Sequence, residues 1–566
     1  MSNLQAAIKS IYPDIEIPSC SLFDFLLPPA TGELHKPAFV DAVTGIQLTY
    51  AQLRSKSLEL ANGLRKLHNI NKSDTVLIIS PNSLSYPVLI FGTSAAGAKL
   101  SLANPAYNHF ELSHQLKDSN ATLVFAHPDN IALTKKILKE IGWSDAQIAH
   151  KLISATDSDA DGHAPYTRIL DSAPQPGVPE KFDGENSHQT AVMCYSSGTT
   201  GLSKGVMTSH NNIVANICQL TLMRGYILQK GDVMLSVLSH LTYTKLTNST
   251  MTVGLTVTML YYISHEVKSI LLPRFEPNAF GAAIQKYKIT VGSVVPPILV
   301  LLANTDIEKK YDLSSLRLLQ VGAAPVGEEL VRKLSIKFND VITISQGYGL
   351  TETSPITHKL PLEFAKSHSG YIGRLLPNTY ARVVSEDGKD VPGDNKSSGE
   401  LWVKGPQVMK GYLNRPEATA DCMTADGYFK TGDVAVFDSQ TQLFRIVDRL
   451  KELIKYKGFQ VPPAALESLL LSHPEVKDVA VIGVYDDKQA TELPRAYVVP
   501  SDSANMNKEA WCKDVETWVS LKVANHSKLR GGVKTIDVIP KSASGKILRR
   551  HLRTLAAQQD KASAKL

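Results

Sequence analysis

The chain has 566 residues, of which 43% are apolar and 20% are charged, so it is long enough to fold into several packed domains. Its 60 Lys and Arg against 54 Asp and Glu give a net charge of +6, spread without a basic block, which argues against nucleic acid as a partner. The five cysteines are far apart and never form C-x-x-C; this excludes a disulfide framework and predicts a reducing compartment.

Two apolar stretches raise the question of a membrane span. Residues 246–264 carry no formal charge, but their five Thr, two Ser and one Asn are atypical of a lipid-facing helix. Residues 289–305 contain Pro296-Pro297, which would interrupt a helix at its middle. Both stretches therefore predict buried core segments and no membrane span, and the charged N-terminus lacks the apolar core of a secretory signal.

Short apolar, β-branched runs alternate with helical patterns along the chain. The runs predict strands at 75–80, 121–126, 190–197, 316–322 and 478–484. Between the first two, apolar residues at helical spacing predict helices at 87–98 and 110–119. Strands that alternate with helices predict parallel sheets covered on both faces, the α/β class of fold.

Other regions have different sequence patterns. Gly, Pro and Asp punctuate short alternating segments over residues 370–447, which predicts an antiparallel sheet with tight turns. Residues 156–187 are polar and rich in proline and predict a surface loop. After Asp448 a new strand–helix series begins, which predicts a domain boundary within residues 448–458.

The strongest local motif is YSSGTTGLSKG at residues 195–205. Its hydroxyls and exposed backbone N–H groups are typical of a loop that binds phosphate oxygens, with Lys204 as a point charge. It is not a Walker A loop, because Lys204 is followed by Gly205 and not by Ser or Thr. The alternative is an ordinary flexible loop, but the strand before it and the helical pattern after it favour phosphate binding.

This motif resembles the phosphate loop of the acyl-adenylate-forming superfamily, which includes acyl-CoA ligases, beetle luciferases and peptide-synthetase adenylation domains. Other strings resemble the superfamily's motifs in the same order: PNSLSYPV (81–88), ANPAYNHFELSHQLKDS (103–119), GAAPVG (322–327), QGYGLTETSP (346–355), DGYFKTGD (426–433), DRLKELIKYKGFQV (448–461) and PKSASGKILRR (540–550). The first two are similar to 4-coumarate–CoA ligase-like sequences in particular. The likeness covers nearly the whole chain.

The resemblance implies a particular domain organisation. A large N-terminal domain, residues 1–448, would contain two parallel-type α/β subdomains plus a small antiparallel β-barrel-like subdomain, with the ATP and acyl sites. A small mobile α+β C-terminal domain, residues 449–566, would follow as a lid, with its hinge at 448–452.

The resemblance also implies a nucleotide site. The residues that would bind ATP or AMP are Ser196, Ser197, Gly198, Thr199, Thr200, Lys204, Gln346, Gly347, Tyr348, Thr351, Asp433, Arg449, Lys451 and Lys455. Thr351 would touch the α-phosphate, and Asp433 and Arg449 would contact the ribose hydroxyls. Glu352, with Thr199, would hold Mg²⁺, which binds through few protein oxygens plus phosphates.

Three residues take catalytic roles in this interpretation: Glu352, Lys546 and Lys457. Lys546 would bridge the substrate carboxylate and the α-phosphate as charge shifts in an in-line displacement. This step needs no general base, because the attacking carboxylate is already ionised. Lys457 would act in the second step, when a thiol attacks the acyl-adenylate. Lys457, Gly458 and Arg274 would contact coenzyme A, and Lys451 would occupy the hinge.

The acyl pocket is where the chain departs from the family. The resemblance places Tyr243, Gly322 and Ala323 there, but relatives carry a Pro-x-x-His string where this chain has VLSHLTYTKLT at residues 237–247. Ser239 replaces the proline, and His240, Thr242 and Tyr243 compete for the place of the histidine. A pocket more polar than a coumaroyl site and a displaced loop are equally compatible with this segment.

The sequence therefore predicts an ATP-dependent acid–CoA ligase. It would activate an aryl, arylpropenoic or fatty/aliphatic carboxylic acid as acyl-AMP with release of pyrophosphate, then form the acyl-CoA thioester, using ATP, Mg²⁺ and coenzyme A. Three alternatives stay open: a luciferase-like oxygenase, a stand-alone adenylation enzyme that loads a carrier protein, and a non-catalytic binding protein. The carrier-loading enzyme is disfavoured because no carrier domain follows Lys546.

The last three residues, Ala564-Lys565-Leu566, are close to the Ser-Lys-Leu peroxisomal address. They predict that a peroxisomal import receptor is a partner and that the protein resides in the peroxisomal matrix, with the cytosol as the fallback.

Overall fold

The structure is a computed structural model that describes residues 7–29, 35–196, 203–223, 228–237, 252–322, 326–450, 452–457, 459–486, 489, 491–501, 507–523, 525–541 and 547–563. These residues form five β-sheets with helices packed between and around them.

The first sheet has seven described strands, most of them parallel. Their spatial order is Gly411–Tyr412, Lys204–Ser209, Thr190–Ser196, Lys99–Ala103, Thr75–Ile79, Leu123–Ala126 and Leu152–Ser154. The last five strands pair in parallel, whereas Lys204–Ser209 pairs antiparallel with Thr190–Ser196. The predicted strands at 75–80, 121–126 and 190–197 are thus confirmed.

The second sheet has nine described strands and is parallel in its centre. Their spatial order is Arg374–Leu375, Ile356–Lys359, Thr343–Gly349, Leu318–Val321, Val291–Val294, Val233–Ser236, Lys268–Leu271, Pro37–Asp41 and Gln47–Thr49. The pairs from Thr343–Gly349 to Pro37–Asp41 are parallel, and the strands at both edges are antiparallel. The predicted strand at 316–322 lies in this sheet.

The third sheet is antiparallel throughout, as the pattern over residues 370–447 predicts. Its strands are, in spatial order, Ile8–Lys9, Tyr380–Val384, Asp394–Lys404, Phe429–Asp438 and Leu443–Arg449. Side chains such as Phe429, Phe437 and Phe444 form its core.

The helices surround these sheets. The α-helices are Leu22–Leu26, Tyr50–His68, Ser85–Ala96, His109–Asp118, Pro128–Glu140, Asp145–Lys151, Thr167–Ser172, His210–Leu222, Tyr261–Ile263, Pro277–Tyr287, Pro296–Ala303, Ile307–Lys310, Glu328–Lys337, Pro416–Cys422, Pro463–Leu471, Lys508–Ser520 and Arg549–Ser563; Gly184–His188, Thr351–Thr353, Leu362–Phe364 and Asn525–Ser527 are 3₁₀ turns. The predicted helices at 87–98 and 110–119 are confirmed.

The region beyond Arg449 has its own sheets and cores. Ile454–Tyr456 and Phe459–Val461 form a hairpin. Val476–Asp486, which contains the predicted strand at 478–484, pairs antiparallel with Thr491–Pro500, which pairs in parallel with Val533–Thr535. Two hydrophobic cores consist of buried residues from 454 to 556. This is an α+β arrangement; the boundary at 448/449 and the hinge stay predictions.

The described part of each uncharged stretch is mostly buried, as predicted, although Val300 and Leu301 in the second stretch are exposed. Val253–Leu260 forms π-helical turns that continue into Tyr261–Ile263, and both segments lie in a core. Pro296-Pro297 begins a helix directly after the strand Val291–Val294 and does not lie at a helix centre, since proline fits the first turn of a helix. Within the described ranges, no helix is long and apolar enough to cross a membrane.

The interpretation of residues 156–187 as a surface loop is only partly right. Thr167–Ser172 is helical and packs against the helix Tyr50–His68. Tyr166 and Phe182 are buried. Prolines and charges made the segment look exposed, but its few apolar residues are spaced so that they face the core.

Candidate active site

Two residues mark the ends of the predicted phosphate loop. Ser196 ends one strand and Lys204 begins the next, and the two residues are paired in register across the antiparallel strands. Residues 197–202, which include the predicted Ser197, Gly198, Thr199 and Thr200, lie outside the described residues. The pairing shows that the motif connects adjacent strands, so that Ser196 and Lys204 are neighbours.

A sharp turn after the strand Thr343–Gly349 presents Glu352. The Leu350 N–H donates to the carbonyl of Pro355 at 3.0 Å. A Cβ on Gly349 would lie only 1.8 Å from the same carbonyl oxygen, so this close approach requires glycine. The glycine of the GLTE string therefore lets the chain fold back and places Glu352 in a buried position beside the phosphate motif.

The Glu352 carboxylate lies among polar groups from three parts of the chain. Its Oε1 accepts hydrogen bonds from Ser196 Oγ at 2.8 Å and from the Tyr412 hydroxyl at 2.9 Å. Lys204 Nζ lies 4.6 Å from the centre of the Tyr412 ring. Burial, followed by the charge of Glu352, raises the pKa of Tyr412 above its ordinary value, so Tyr412 stays a hydrogen-bond donor. The arrangement fixes one carboxylate oxygen next to the phosphate motif.

Sequence reasoning missed Tyr412. It lies in the short strand Gly411–Tyr412, which pairs with Val206 and Met207 just after the phosphate motif. Asn212 holds this region in place, because its side-chain amide donates to the carbonyl oxygens of Pro406 and Val408. No local motif surrounds Tyr412; only the long-range strand pairing brings it to Glu352.

A second cluster surrounds Asp433. The Tyr348 hydroxyl donates to Asp433 Oδ2 at 2.7 Å, and Arg449 Nε lies 3.4 Å from Asp433 Oδ1. Asp433 and Arg449 are paired in register on adjacent strands of the third sheet. Burial, followed by the charge of Asp433, raises the pKa of Tyr348 well above its ordinary value. The structure thus brings together three residues that the sequence assigned to one nucleoside.

Two buried polar groups of the predicted nucleotide site have no partner in the described part of the chain: the amide nitrogen of Gln346 and the hydroxyl of Thr351. Gln346 is 5% exposed and Thr351 is 2% exposed. A buried donor without an acceptor costs free energy, and ligands or water usually satisfy such groups. These groups, with Lys204, provide the donors that the oxygens and ring nitrogens of a nucleotide require, and the Glu352 carboxylate suits Mg²⁺.

Gly322 adjoins this site on the neighbouring strand. Among the described residues, a Cβ there would meet only the carbonyl oxygen of Gly347, at 4.0 Å, so no described side chain fills the space in front of Gly322. The other two predicted residues of the acyl pocket, Tyr243 and Ala323, lie outside the described residues.

Other predicted site residues lie apart from these clusters. Lys455 and Lys457 are exposed on the hairpin beyond Arg449, where their backbone N–H groups donate to Glu492 and Thr491. Neither forms a hydrogen bond or ion pair with a described residue of the two clusters. Arg274 is exposed between a strand and a helix of the second subdomain. Lys451, Gly458, Lys546 and residues 564–566 lie outside the described ranges.

Comparison with known proteins decides the family. The model of the family "AMP-binding enzyme" matches residues 29–413, and that of the "AMP-binding enzyme C-terminal domain" matches residues 465–546. The chain belongs to the AMP-binding enzyme family. Both clusters lie in the part of the chain up to Arg449, and the exposed lysine hairpin precedes the C-terminal match.

Curated relatives are similar along nearly their whole length. A probable 4-coumarate–CoA ligase 1 of Dictyostelium discoideum is 36% identical, with 97% of this chain and 98% of the relative covered. The 4-coumarate–CoA ligase 1 of Arabidopsis thaliana is 35% identical, with coverage of 98% and 96%. Among solved structures, ATP-bound MatB from Rhodopseudomonas palustris is 27% identical and superposes with a TM-score of 0.82 over 94% of this chain and 98% of that one.

These matches confirm the predicted family, the α/β fold class with a separate C-terminal α+β part, and the class of reaction. The protein is an AMP-forming acid–CoA ligase, which uses ATP to activate a carboxylic acid as an acyl-adenylate. The roles of individual residues, the metal and the particular acid stay predictions.

Proposed function

We propose that the two clusters form one adenylation site, in which Glu352 and the phosphate motif hold the triphosphate and Asp433 holds the ribose. The observation that supports this most directly is the convergence of Ser196, Tyr412 and Glu352, since Ser196 begins the phosphate motif and Glu352 lies 156 residues further along the chain. Glu352 and Thr199 would hold Mg²⁺, which neutralises charge on the phosphate oxygens when it is bound.

In the first half-reaction, an oxygen of the substrate carboxylate attacks the α-phosphorus of ATP and pyrophosphate leaves. Thr351 and Lys546 stabilise the charge that moves onto the α-phosphate oxygens. The amide nitrogen of Gln346, which has no partner among the described residues, orients the nucleotide. The acyl-adenylate that results is a mixed anhydride of the acid and AMP.

In the second half-reaction, the thiol sulfur of coenzyme A attacks the acyl carbon, AMP leaves, and the thiol proton passes to solvent. Lys457 and Gly458 would line the path of the thiol, and Arg274 would contact the nucleotide end of coenzyme A. The named activity of the relatives makes an arylpropenoic acid the first class of substrate to test, with other aryl acids and aliphatic acids beside it.

Measurement of pyrophosphate release over a panel of such acids, with and without coenzyme A, tests this proposal. We expect release that depends on the acid and a thioester that appears only with coenzyme A. Adenylate that reacts with oxygen and emits light would favour the luciferase-like enzyme. Adenylate that is transferred only to a carrier protein would favour the loading enzyme, and nucleotide binding without pyrophosphate release would favour a binding protein.

We also propose that the protein is imported into peroxisomes through Ala564-Lys565-Leu566. Deletion of these three residues is expected to move the protein to the cytosol and to leave its ligase activity unchanged, because an address that a receptor reads has no part in catalysis. Imaging of a fusion whose native C-terminus stays free measures this. A cytosolic signal from the intact fusion would show that the ending is accidental.

A further inference from the structure

Lys359 is a buried lysine beside the proposed site. It is the last residue of the strand Ile356–Lys359 and is only 5% exposed. Its partner in register is Gly347 on the strand Thr343–Gly349. A Cβ on Gly347 would lie 3.6 Å from Lys359 Cδ, so the aliphatic chain of the lysine leans over the glycine. A Cβ at position 347 would thus be in ordinary van der Waals contact with the lysine side chain.

The Lys359 ammonium group has no hydrogen bond and no ion pair with any residue that the structure describes. Burial lowers the pKa of Lys359 from 10.5 to about 8, and no neighbouring charge contributes. At neutral pH the group is therefore still mostly protonated. A buried charge without a partner is costly, so an anion bound beside Lys359 would offset this cost.

Lys359 lies on the same face of the sheet as Gly347 and Gly322, and Gly322 belongs to the predicted acyl pocket. Side chains at alternate positions of a strand share a face, and the strand register places Gly322 beside Gly347. Gln320 lies on this same face, where its amide donates to the Tyr262 hydroxyl at 3.2 Å. The backbone at these two glycines thus carries no side chains. The buried Lys359 lies on one side of it and the buried Gln320 amide on the other. Such an arrangement suits a polar end of the substrate better than a hydrocarbon.

We propose that Lys359 binds an anionic oxygen group at the end of the acid that is remote from the reacting carboxylate, so that the preferred substrates are dicarboxylic acids. This inference rests on the proposed function, in which Gly347 belongs to the nucleotide site and Thr351 contacts the α-phosphate. Thr351 follows Gly347 by four positions, so their Cα atoms lie at most roughly 14 Å apart.

Three acids that differ only at the remote end test this: cinnamate, 4-hydroxycinnamate and 4-carboxycinnamate. The variant Lys359→Met keeps a similar length and removes the charge. The control Lys366→Met removes an exposed lysine that pairs with Asp340 at 3.1 Å on the surface. Pyrophosphate release in the presence of coenzyme A gives kcat/KM for each acid and each protein.

We expect the unmodified enzyme to prefer 4-carboxycinnamate, then 4-hydroxycinnamate, then cinnamate. Lys359→Met should lower kcat/KM for 4-carboxycinnamate by ~10–100-fold, the usual range for loss of a hydrogen bond to a charged group, and leave cinnamate nearly unchanged. Lys366→Met should change neither value. Equal preferences in the unmodified enzyme and in Lys359→Met would overturn the proposal.

Binding without turnover separates this inference from the proposed function. With AMP present, 4-carboxycinnamate should raise the Tm of the unmodified protein and of Lys366→Met by mass action, but not that of Lys359→Met. The same Tm response in Lys359→Met would overturn the role of Lys359. If no acid supported pyrophosphate release while this difference in Tm persisted, the proposed function would fail and the anion site would stand.

The pH dependence of Tm tests whether the charge of Lys359 is buried in the folded protein and shows that Lys359→Met still folds. Below about pH 8 the lysine is protonated in both the folded and the unfolded chain, so the full cost of burial is present. Between pH 8 and 10.5 the lysine binds more protons in the unfolded chain than in the folded chain. The free energy of unfolding of the unmodified protein therefore rises with pH in this range. The neighbouring His358 contacts Tyr348 and Phe444 and exerts no effect on the pKa of Lys359. Lys359→Met should therefore melt higher than the unmodified protein at pH 7, and this advantage should shrink towards pH 10.5.

Discussion

Replacement of Glu352 with Gln is expected to slow acyl-adenylate formation by ~10²–10³, the range seen when one preorganised group that stabilises developing charge is removed. Gln keeps a side-chain oxygen that can accept the hydrogen bonds of Ser196 Oγ and the Tyr412 hydroxyl. The local fold should therefore survive, and what is lost is the negative charge that would hold Mg²⁺ against the triphosphate.

The acid-dependent exchange of pyrophosphate into ATP measures this step as Mg²⁺ is varied. We expect the Mg²⁺ concentration at half-maximal rate to rise in Glu352→Gln together with the fall in rate. Glu363→Gln is the matched control, since Glu363 is an exposed acidic residue near Arg374 on the same subdomain. A normal Mg²⁺ requirement in Glu352→Gln would show that the metal is held elsewhere.

Much of the large domain could be predicted because its signals are local. The runs at 75–80 and 121–126 are short, apolar and β-branched, and such segments form buried parallel strands. The alternation and turn residues over 370–447 likewise predict the antiparallel third sheet. Asp433 and Arg449 came from motif resemblance, and strand register explains why these two residues, 16 positions apart, face one another.

The rest depends on contacts between distant parts of the chain. Tyr412 reaches Glu352 only because a two-residue strand adds to the edge of the first sheet, and two residues carry no periodicity to detect. Lys359 looks like an ordinary charged residue in the sequence. Its position becomes visible only in the strand register: its partner is Gly347, which has no side chain, so the lysine side chain can lie over the glycine. The segments 197–202 and 238–251 lie outside the described residues, so the predictions for them are unchanged.

The two half-reactions make conflicting demands on the region beyond Asp448. Lys546 is assigned to adenylate formation and Lys457 to thioester formation, yet both must act on one adenylate. Lys457 is exposed on its hairpin and has no hydrogen bond or ion pair with the described residues of the clusters. Rotation of the C-terminal part about a hinge resolves the conflict, because it would bring each lysine to the adenylate in turn.

Hydrogen bonds on either side of Lys451 support a hinge at this point. On the N-terminal side, Arg449 lies against Asp433, and the Leu450 N–H donates to the Gly432 carbonyl at 2.9 Å. On the C-terminal side, Glu452 accepts a hydrogen bond from Arg549 at 2.6 Å. The Glu452 and Leu453 N–H groups also donate to the Arg449 carbonyl, at 2.9 and 3.2 Å, so backbone hydrogen bonds join the two sides of position 451 while the side-chain contacts change from one part of the protein to the other. We expect a rotation between the two parts to be absorbed at residue 451 and its flanking peptide bonds, with these two backbone hydrogen bonds broken or rearranged.

Proline at position 451 should therefore trap one arrangement. It fixes φ near −65° and also restricts Leu450 before it. We expect Lys451→Pro to keep pyrophosphate exchange near normal and to lower thioester output by ~10² or more, because gating motions can set turnover. Lys451→Ala removes the same side chain without restricting φ, so it should lose far less thioester output, and the Tm of both variants should stay close to that of the unmodified protein. If Lys451→Pro forms thioester at the normal rate, the hinge lies elsewhere, and the hydrogen bond from the Ala464 N–H to Asp448 becomes the evidence that Asp448 moves with the C-terminal part.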